Sequence, residues 1–332
     1  MTIRCAVVGA GAWGTALADL LAGAGHQVTL WAHEADVVEG INLRHRNERF
    51  LPGPVLAESL RATSDAAEAV RDAEVITYVA PSHVLRRVVR AHASAVPLDA
   101  AVVVATKGIE HDSLAIMTDV VREELPGRRV AALSGPSFAA EVAERQPTAV
   151  VAASDELELA RYVQRIFSTD YFRVYAHDDV TGVELGGALK NVMAVATGMA
   201  EGLGLGFNSR AALITRGLAE MTRLGVAVGA NPATFAGLAG MGDLVLTCTG
   251  SLSRNRSVGM EVGKGRTLEE VLAGRETVAE GVTTARSAAS LAAREGVEMP
   301  IVSAVHRILF EGQTPRDAID DLMRRGLRAE QD

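Results

Sequence analysis

Cysteine is nearly missing from this chain. Cys5 and Cys248 lie far apart, and neither belongs to a CxxC pair or to a His/Cys cluster at zinc spacing. That excludes a disulfide scaffold and a structural metal site, and both thiols read as reduced and packed. Aromatic residues make up only 4%, which leaves little for stacking on bases, and the formal net charge of −8 argues against a general nucleic-acid binder. No uncharged apolar run reaches the ~20 residues that span a bilayer, so no stable membrane insertion is expected. The opening "MTIRCAVVGAG" enters an apolar strand directly, without the basic start, apolar core and cleavage site of a signal peptide. Internal repeats and low-complexity linkers are absent too. The expectation is a soluble protein of a reducing compartment, the cytoplasm, with small molecules as its partners.

What is present is a globular composition, 48% hydrophobic and 22% charged, over 332 residues, more than one ordinary core accommodates. The first half alternates. Short apolar runs ("IRCAVVG", "QVTLWA", "EVITYVA", "AVVVAT", "VAALSG", "TAVVAA") each precede a helical stretch, and "YFRVYA" closes the region. Continuous apolar runs fit strands covered on both faces, and strands alternating with helices imply βαβ crossovers. The pattern predicts an α/β Rossmann-like, doubly wound, mostly parallel sheet over residues 1–177. From about Asp178 alanine- and leucine-rich segments repeat at helical period and β-branched runs become scarce. Residues 178–332 are therefore expected to form an all-helical second domain for substrate and catalysis.

"VVGAGAWGTALADLLAGAG" sets Gly9, Gly11 and Gly14 in GxGxxG spacing after a predicted strand and at the start of a predicted helix. Gly9 allows the tight turn, Gly11 lets backbone approach a pyrophosphate, and Gly14 lets helix and sheet pack closely. The helix N-terminus offers N–H groups and partial positive charge to phosphate. Trp13 either caps the core or leans on the cofactor. At the end of the second strand, "LWAHEAD" has Ala32 and His33 where an NAD enzyme usually carries an acid. His33 either reads the ribose or its 2′-phosphate or is a solvated loop residue. The pattern permits NADP and leaves NAD open.

Polar residues also follow other strands. Pro81 and Ser82 lie in "VAPSH", Lys107 in "ATKGIE", and Gly135 and Ser137 in "LSGPSFAAEVA", with Ser137 placed to cap the next helix. One sheet edge would gather them into a pocket suited to anions. In the second half, "GGALKNVMAVATG" sets Lys190 and Asn191 among small apolar residues, a costly place for an amine unless something pairs with it. Asp243 in "GMGDLVLTC" reads most simply as a helix N-cap. "SLSRNRS" gives Ser253, Arg254 and Asn255, a polar turn or a phosphate fork with neutral donors beside it. Glu280 in "TVAEGVTTA" either caps a helix or meets a cofactor hydroxyl. "GLGLGF" follows a helix rather than a strand and reads as a connection.

Taken in order, "GAGAWGTALA", "VAPSH", "ATKGIE", "SGPSFAAEV", "GVELGGALKNVMAVATG", "RAALITRGLAEM", "GMGDLVLTCTGSLSRNRSVG" and "VAEGVTTA" resemble the bacterial-type NAD(P)-dependent glycerol-3-phosphate dehydrogenases across nearly the whole chain. The resemblance, not composition, supplies the substrates: sn-glycerol 3-phosphate and dihydroxyacetone phosphate. It makes Lys190 the proton donor and acceptor, gives Lys107 to both cofactor and substrate, and assigns Gly135, Ser137, Asp243, Ser253, Arg254 and Asn255 to substrate. Asn191 would orient substrate oxygens or the amine. Gly9, Gly11, Ala12, Trp13, Gly14, His33, Ala139, Arg254, Val278 and Glu280 would be cofactor contacts. Family members often carry serine where this chain has Ala12, so one hydrogen bond near the pyrophosphate is lost to it. The resemblance further implies a homodimer that makes glycerol phosphate for phospholipid synthesis. Arginine binds carboxylate and phosphate alike, so the residues alone leave a hydroxy-acid dehydrogenase open. A non-enzymatic nicotinamide sensor would not need Lys190, Asp243 and Arg254 together.

Overall fold

The structure, a computed structural model, describes residues 2–274, 279–327 and 329. Eight strands form one sheet: β1 (Arg4–Val8), β2 (Gln27–Trp31), β3 (Arg61–Thr63), β4 (Val75–Tyr78), β5 (Ala101–Val104), β6 (Arg129–Ser134), β7 (Thr148–Ala153) and β8 (Phe172–His177), in the order 3-2-1-4-5-6-7-8. Strands β1 to β6 are all parallel. β7 turns back antiparallel to β6, and β8 runs parallel to β7. The fold is thus the expected doubly wound, mostly parallel sheet, with a reversed edge pair that the apolar runs did not signal. β3 was not among the expected strands. "RAT" is three residues long and has no apolar run to mark it.

Every residue of β4 and β5 is buried, because helices cover both faces. One face packs Leu17, Leu20 and Leu21 of the Ala12–Gly23 helix against Val28, Leu30 and Phe167. The other packs Val8, Tyr78 and Val102 against Leu85 and Val120. Each such side chain, fully withdrawn from water, contributes ~1.5–3 kcal/mol.

The rest is helical, built around Val180–Gly202, whose residues are nearly all buried. Asp179 starts this helix: its carboxylate accepts from Gly182 N at 2.8 Å and also from Thr234 Oγ1 at 2.6 Å. A helix buried all round must let its neighbours come close. Against the Arg254–Gly263 helix a Cβ on Gly198 would strike the Arg256 carbonyl, and one on Gly259 would strike that of Val195. The "GLGLGF" segment is the connection expected, leading into the Phe207–Ala227 helix. Among the described residues no single helix is long and apolar enough to cross a membrane.

Candidate active site

Because β1, β2, β4, β5 and β6 are parallel, their carboxyl ends share one edge of the sheet. Gly9 follows β1, His33 follows β2, Ser82 follows β4, Lys107 follows β5 and Gly135 follows β6. β1 and β4 are neighbours at the point where the strand order reverses, the usual ligand crevice of such sheets.

The glycine turn has the shape a pyrophosphate requires. Gly9 has φ +119°, a conformation disfavoured for residues with a Cβ, and a Cβ on Gly14 would strike the Gly9 carbonyl oxygen. A Cβ on Gly11 would meet nothing within 4 Å, so the backbone there faces open space. No side chain caps the Ala12–Gly23 helix, which leaves its N-terminus for an anion. Trp13 packs on the core, its ring 6.4 Å from that of Phe172, yet its buried Nε1 has no hydrogen-bond partner among the described residues. Both readings of Trp13 therefore retain a basis in the structure. His33 is exposed, tilted 6.4 Å from the Trp31 ring. Ala139 begins the Ala139–Ala143 helix close by in sequence to Gly135. Val278 lies outside the described residues. These features fit a nicotinamide dinucleotide, which Gly9, Gly11, Ala12, Trp13 and Gly14 would hold at the pyrophosphate.

The partner that a buried Lys190 requires is a carboxylate. Lys190 is 7% exposed, and its Nζ donates to Asp243 Oδ1 at 2.8 Å and to Thr247 Oγ1 at 2.7 Å. Lys107 Nζ donates to Asp243 Oδ2 at 2.6 Å and to the Gly135 carbonyl at 3.1 Å. One carboxylate, 1% exposed, thus holds two ammonium groups, one from each half of the chain. Burial pushes the Lys190 ammonium down to about 8; Asp243 opposes that shift and Lys107 adds to it. Burial would raise the Asp243 carboxyl, but Lys107 and Lys190 outweigh it and hold it below the usual range.

Asp243 is consequently not a helix N-cap. It is the first residue of the Asp243–Thr249 helix, follows a π-helical turn at Leu238–Gly242, and both its oxygens accept from side chains rather than from the helix's own N–H groups. Nor does Ser137 cap the helix after it. Its hydroxyl donates back to the Gly135 carbonyl at 3.0 Å, and the cap position falls to Phe138, which has no such group. The residue that does cap is Ser253, accepting from Arg256 N at 3.2 Å.

A second chain of bonds runs from Asn255, whose Nδ2 donates to Asn191 Oδ1 at 2.8 Å and whose Oδ1 accepts from Gly281 N at 2.9 Å. Asn191 spends its oxygen and one N–H (to the Gly187 carbonyl, 3.3 Å) internally, so one amide N–H is left for a ligand. Arg254, exposed at the start of its helix, makes no hydrogen bond or ion pair among the described residues. Glu280 sits at the first turn of its helix but caps another one. It accepts from Ser82 N at 3.1 Å and Ser82 Oγ at 2.5 Å, at the start of Ser82–His92. Burial raises its carboxyl against those bonds.

The sequence reading missed two groups. Thr247 lies one helical turn after Asp243, a spacing that could have flagged it. Ser134 Oγ is buried without a hydrogen-bond partner among the described residues, beside Gly187 and the Lys107 stem, and only packing places it there. Cys5 and Cys248 are free and buried, as expected.

A dinucleotide cradle on a doubly wound sheet, with a buried lysine–aspartate–lysine cluster at the strand ends, defines a nicotinamide-dependent oxidoreductase. The particular family follows from comparison. Residues 4–160 match the family model described as NAD-dependent glycerol-3-phosphate dehydrogenase N-terminus, and residues 179–320 match the corresponding C-terminus. A glycerol-3-phosphate dehydrogenase [NAD(P)+] of Citrifermentans bemidjiense is 56% identical over 99% of both chains. The crystal structure of glycerol-3-phosphate dehydrogenase from Coxiella burnetii superimposes with a TM-score of 0.94 at 40% identity, covering 98% of this chain and 99% of that one. The enzyme from Saccharomyces cerevisiae gives 0.82 at 28% identity, covering 96% and 99%. The chain belongs to the NAD-dependent glycerol-3-phosphate dehydrogenase family.

Proposed function

We propose that this protein interconverts sn-glycerol 3-phosphate and dihydroxyacetone phosphate with NAD(P), Lys190 serving as the acid and base. The observation that carries this reading is the buried Lys190 ammonium held by Asp243 and Thr247 beside the strand ends. Two of its three N–H groups are committed, so the third is available to a substrate oxygen. Hydride exchange with the substrate carbon is the chemistry that a bound nicotinamide would supply. In reduction Lys190 donates its proton to the carbonyl oxygen; in oxidation the neutral amine accepts the hydroxyl proton. Asp243 and Thr247 aim the nitrogen, and Lys107 adds positive charge where the oxygen becomes anionic. Residues 1–177 would hold the cofactor and 178–332 most of the substrate. A cytoplasmic homodimer supplying phospholipid synthesis belongs to the same reading.

The sign of the pH dependence follows. Reduction needs the ammonium form, so kcat/KM with dihydroxyacetone phosphate should fall as pH rises through about 8, while oxidation of glycerol phosphate should rise through the same range. The measurement is reduced-nicotinamide absorbance in both directions, with NADH and NADPH in separate runs. Limbs of the same sign in both directions would remove Lys190 as the exchanging group, and no turnover with either cofactor would remove the substrate assignment.

Arg254 supports a phosphate site: a guanidinium with no hydrogen bond or ion pair among the described residues, at a helix N-terminus, beside Asn255. Arg254→Ala should lower kcat/KM for dihydroxyacetone phosphate on the order of 10–100-fold, the worth of a charge-assisted bond. Unphosphorylated dihydroxyacetone should be turned over as slowly by the variant as by the wild type. Equal losses on both substrates would count against the phosphate role.

A further inference from the structure

The Lys107–Asp243–Lys190 cluster joins the sheet to the helical body, so its geometry depends on how the loop carrying Lys107 is seated. That loop, residues 105–116, leaves β5 and enters the Met117–Glu124 helix. It is stapled to itself by the antiparallel Ile109–Ile116 bridge and by Glu110 N donating to the Ala115 carbonyl at 2.9 Å. Leu114 within it is left-handed at φ +58°, an uncommon state for a bulky residue that surrounding contacts must hold. The helix it enters has no cap of its own, since Ile116 occupies the cap position.

The missing cap comes from the helical body. Glu184, on the same Val180–Gly202 helix as Lys190, extends its carboxyl to Thr118. Thr118 N donates to Glu184 Oε1 at 3.1 Å and to Oε2 at 3.2 Å, and the Thr118 hydroxyl donates to Oε2. Glu184 is 6% exposed and has no ion pair among the described residues. Burial pushes its carboxyl up to about 8, against the Thr118 bonds; Asp119 adds to the rise and Arg122 opposes it. A group so costly to bury is badly placed as generic core filling. One helical turn further along, Gly187 faces the Lys107 stem: a Cβ there would lie 3.6 Å from Lys107 Cγ and Cδ. Glu184, Gly187 and Lys190 follow at three-residue intervals, so anchor, contact and reacting group share one rigid helix.

We propose that Glu184 and Thr118 are positioning residues for the reaction, locking the Lys107 loop onto the helix that carries Lys190. The inference rests on the reading of Lys190 given above. Glu184 bonds to Thr118 and not to Lys107, Asp243 or Lys190; it acts through the helix start and the stapled loop. Misplacement of ~1 Å in such a cluster costs on the order of 10²-fold.

The test compares Glu184→Leu, Thr118→Val and Thr118→Ser with the wild type, reading kcat and KM for dihydroxyacetone phosphate, thermal stability and amide exchange over residues 105–118. The expected result is a fall in kcat of ~10-fold or more in Glu184→Leu, which removes the acceptor at similar volume, and in Thr118→Val, with KM changed far less and with faster exchange in the loop. Thr118→Ser, which keeps the hydroxyl, should retain wild-type turnover. If Glu184→Leu does not fold, Thr118→Val against Thr118→Ser decides. Wild-type kcat in Thr118→Val, or in Glu184→Leu with only a lower melting temperature, overturns the proposal. An inactive wild type would instead overturn the proposed function, so the two failures are distinct.

Discussion

Lys190→Ala should fold, bind NAD(P)H and lose on the order of 10²–10⁴-fold in kcat with dihydroxyacetone phosphate. The fold should survive because the substitution leaves no buried charge alone: Asp243 keeps its 2.6 Å pair with Lys107, and Thr247 keeps its bond to Asp243 at 3.2 Å. The removed ammonium was itself expensive to bury, as its lowered pKa records. A cavity remains, so Lys190→Met is the companion variant that preserves volume. Single-turnover reduction and cofactor binding by fluorescence separate chemistry from binding. Turnover within a few fold of wild type in both variants would take the acid–base role away from this residue.

Asp243→Asn should be worse for the fold and as bad for the reaction. Two ammonium groups would then face one neutral amide in a site where the carboxylate is 1% exposed. Removing one partner from a buried ionic cluster costs about 3–5 kcal/mol, far more than the intact cluster contributes, because the charges left behind stay desolvated. The Asp243 carboxylate is also what holds the Lys190 pKa up against burial and Lys107. Without it that pKa drops further below about 8, and the falling limb of the reduction profile moves to lower pH. Denaturant melts and the pH–rate profile of residual activity check both halves. Unchanged stability together with an unmoved limb would mean that Asp243 does not carry the charge that balances Lys107 and Lys190.

The dinucleotide cradle was legible because it is local. Three glycines, a preceding apolar strand and a following helix lie within one short stretch, and each glycine answers a steric need met inside that stretch, as the Gly14 clash with the Gly9 carbonyl shows. The anomaly of Lys190 was legible too, since helical spacing alone puts the amine among small apolar neighbours. Its partner was harder to read. Asp243 before an apolar run looks like a cap, and only the approach of two other segments, 53 and 136 residues away in sequence, turns its oxygens elsewhere. Ser137 misled for a different, local reason: the helix starts one residue later than a Ser137 cap needs, with Phe138 at the cap position. A helix start offers a serine its N–H groups, but the nearer Gly135 carbonyl took the hydroxyl.

The amino-acid sequence by itself determined the alternating half, the helical half, the nucleotide turn and the need for a counter-charge at Lys190. All of these are set by spacing, burial pattern and backbone sterics within short windows. Which carboxylate answers that need, how β7 reverses at the sheet edge, and which glutamate caps which helix were decided only in the folded chain. Glu184 reaches Thr118 across 66 residues and Glu280 reaches Ser82 across 198. A buried polar group bonds to whatever packing brings within about 3 Å, and sequence separation does not enter that choice.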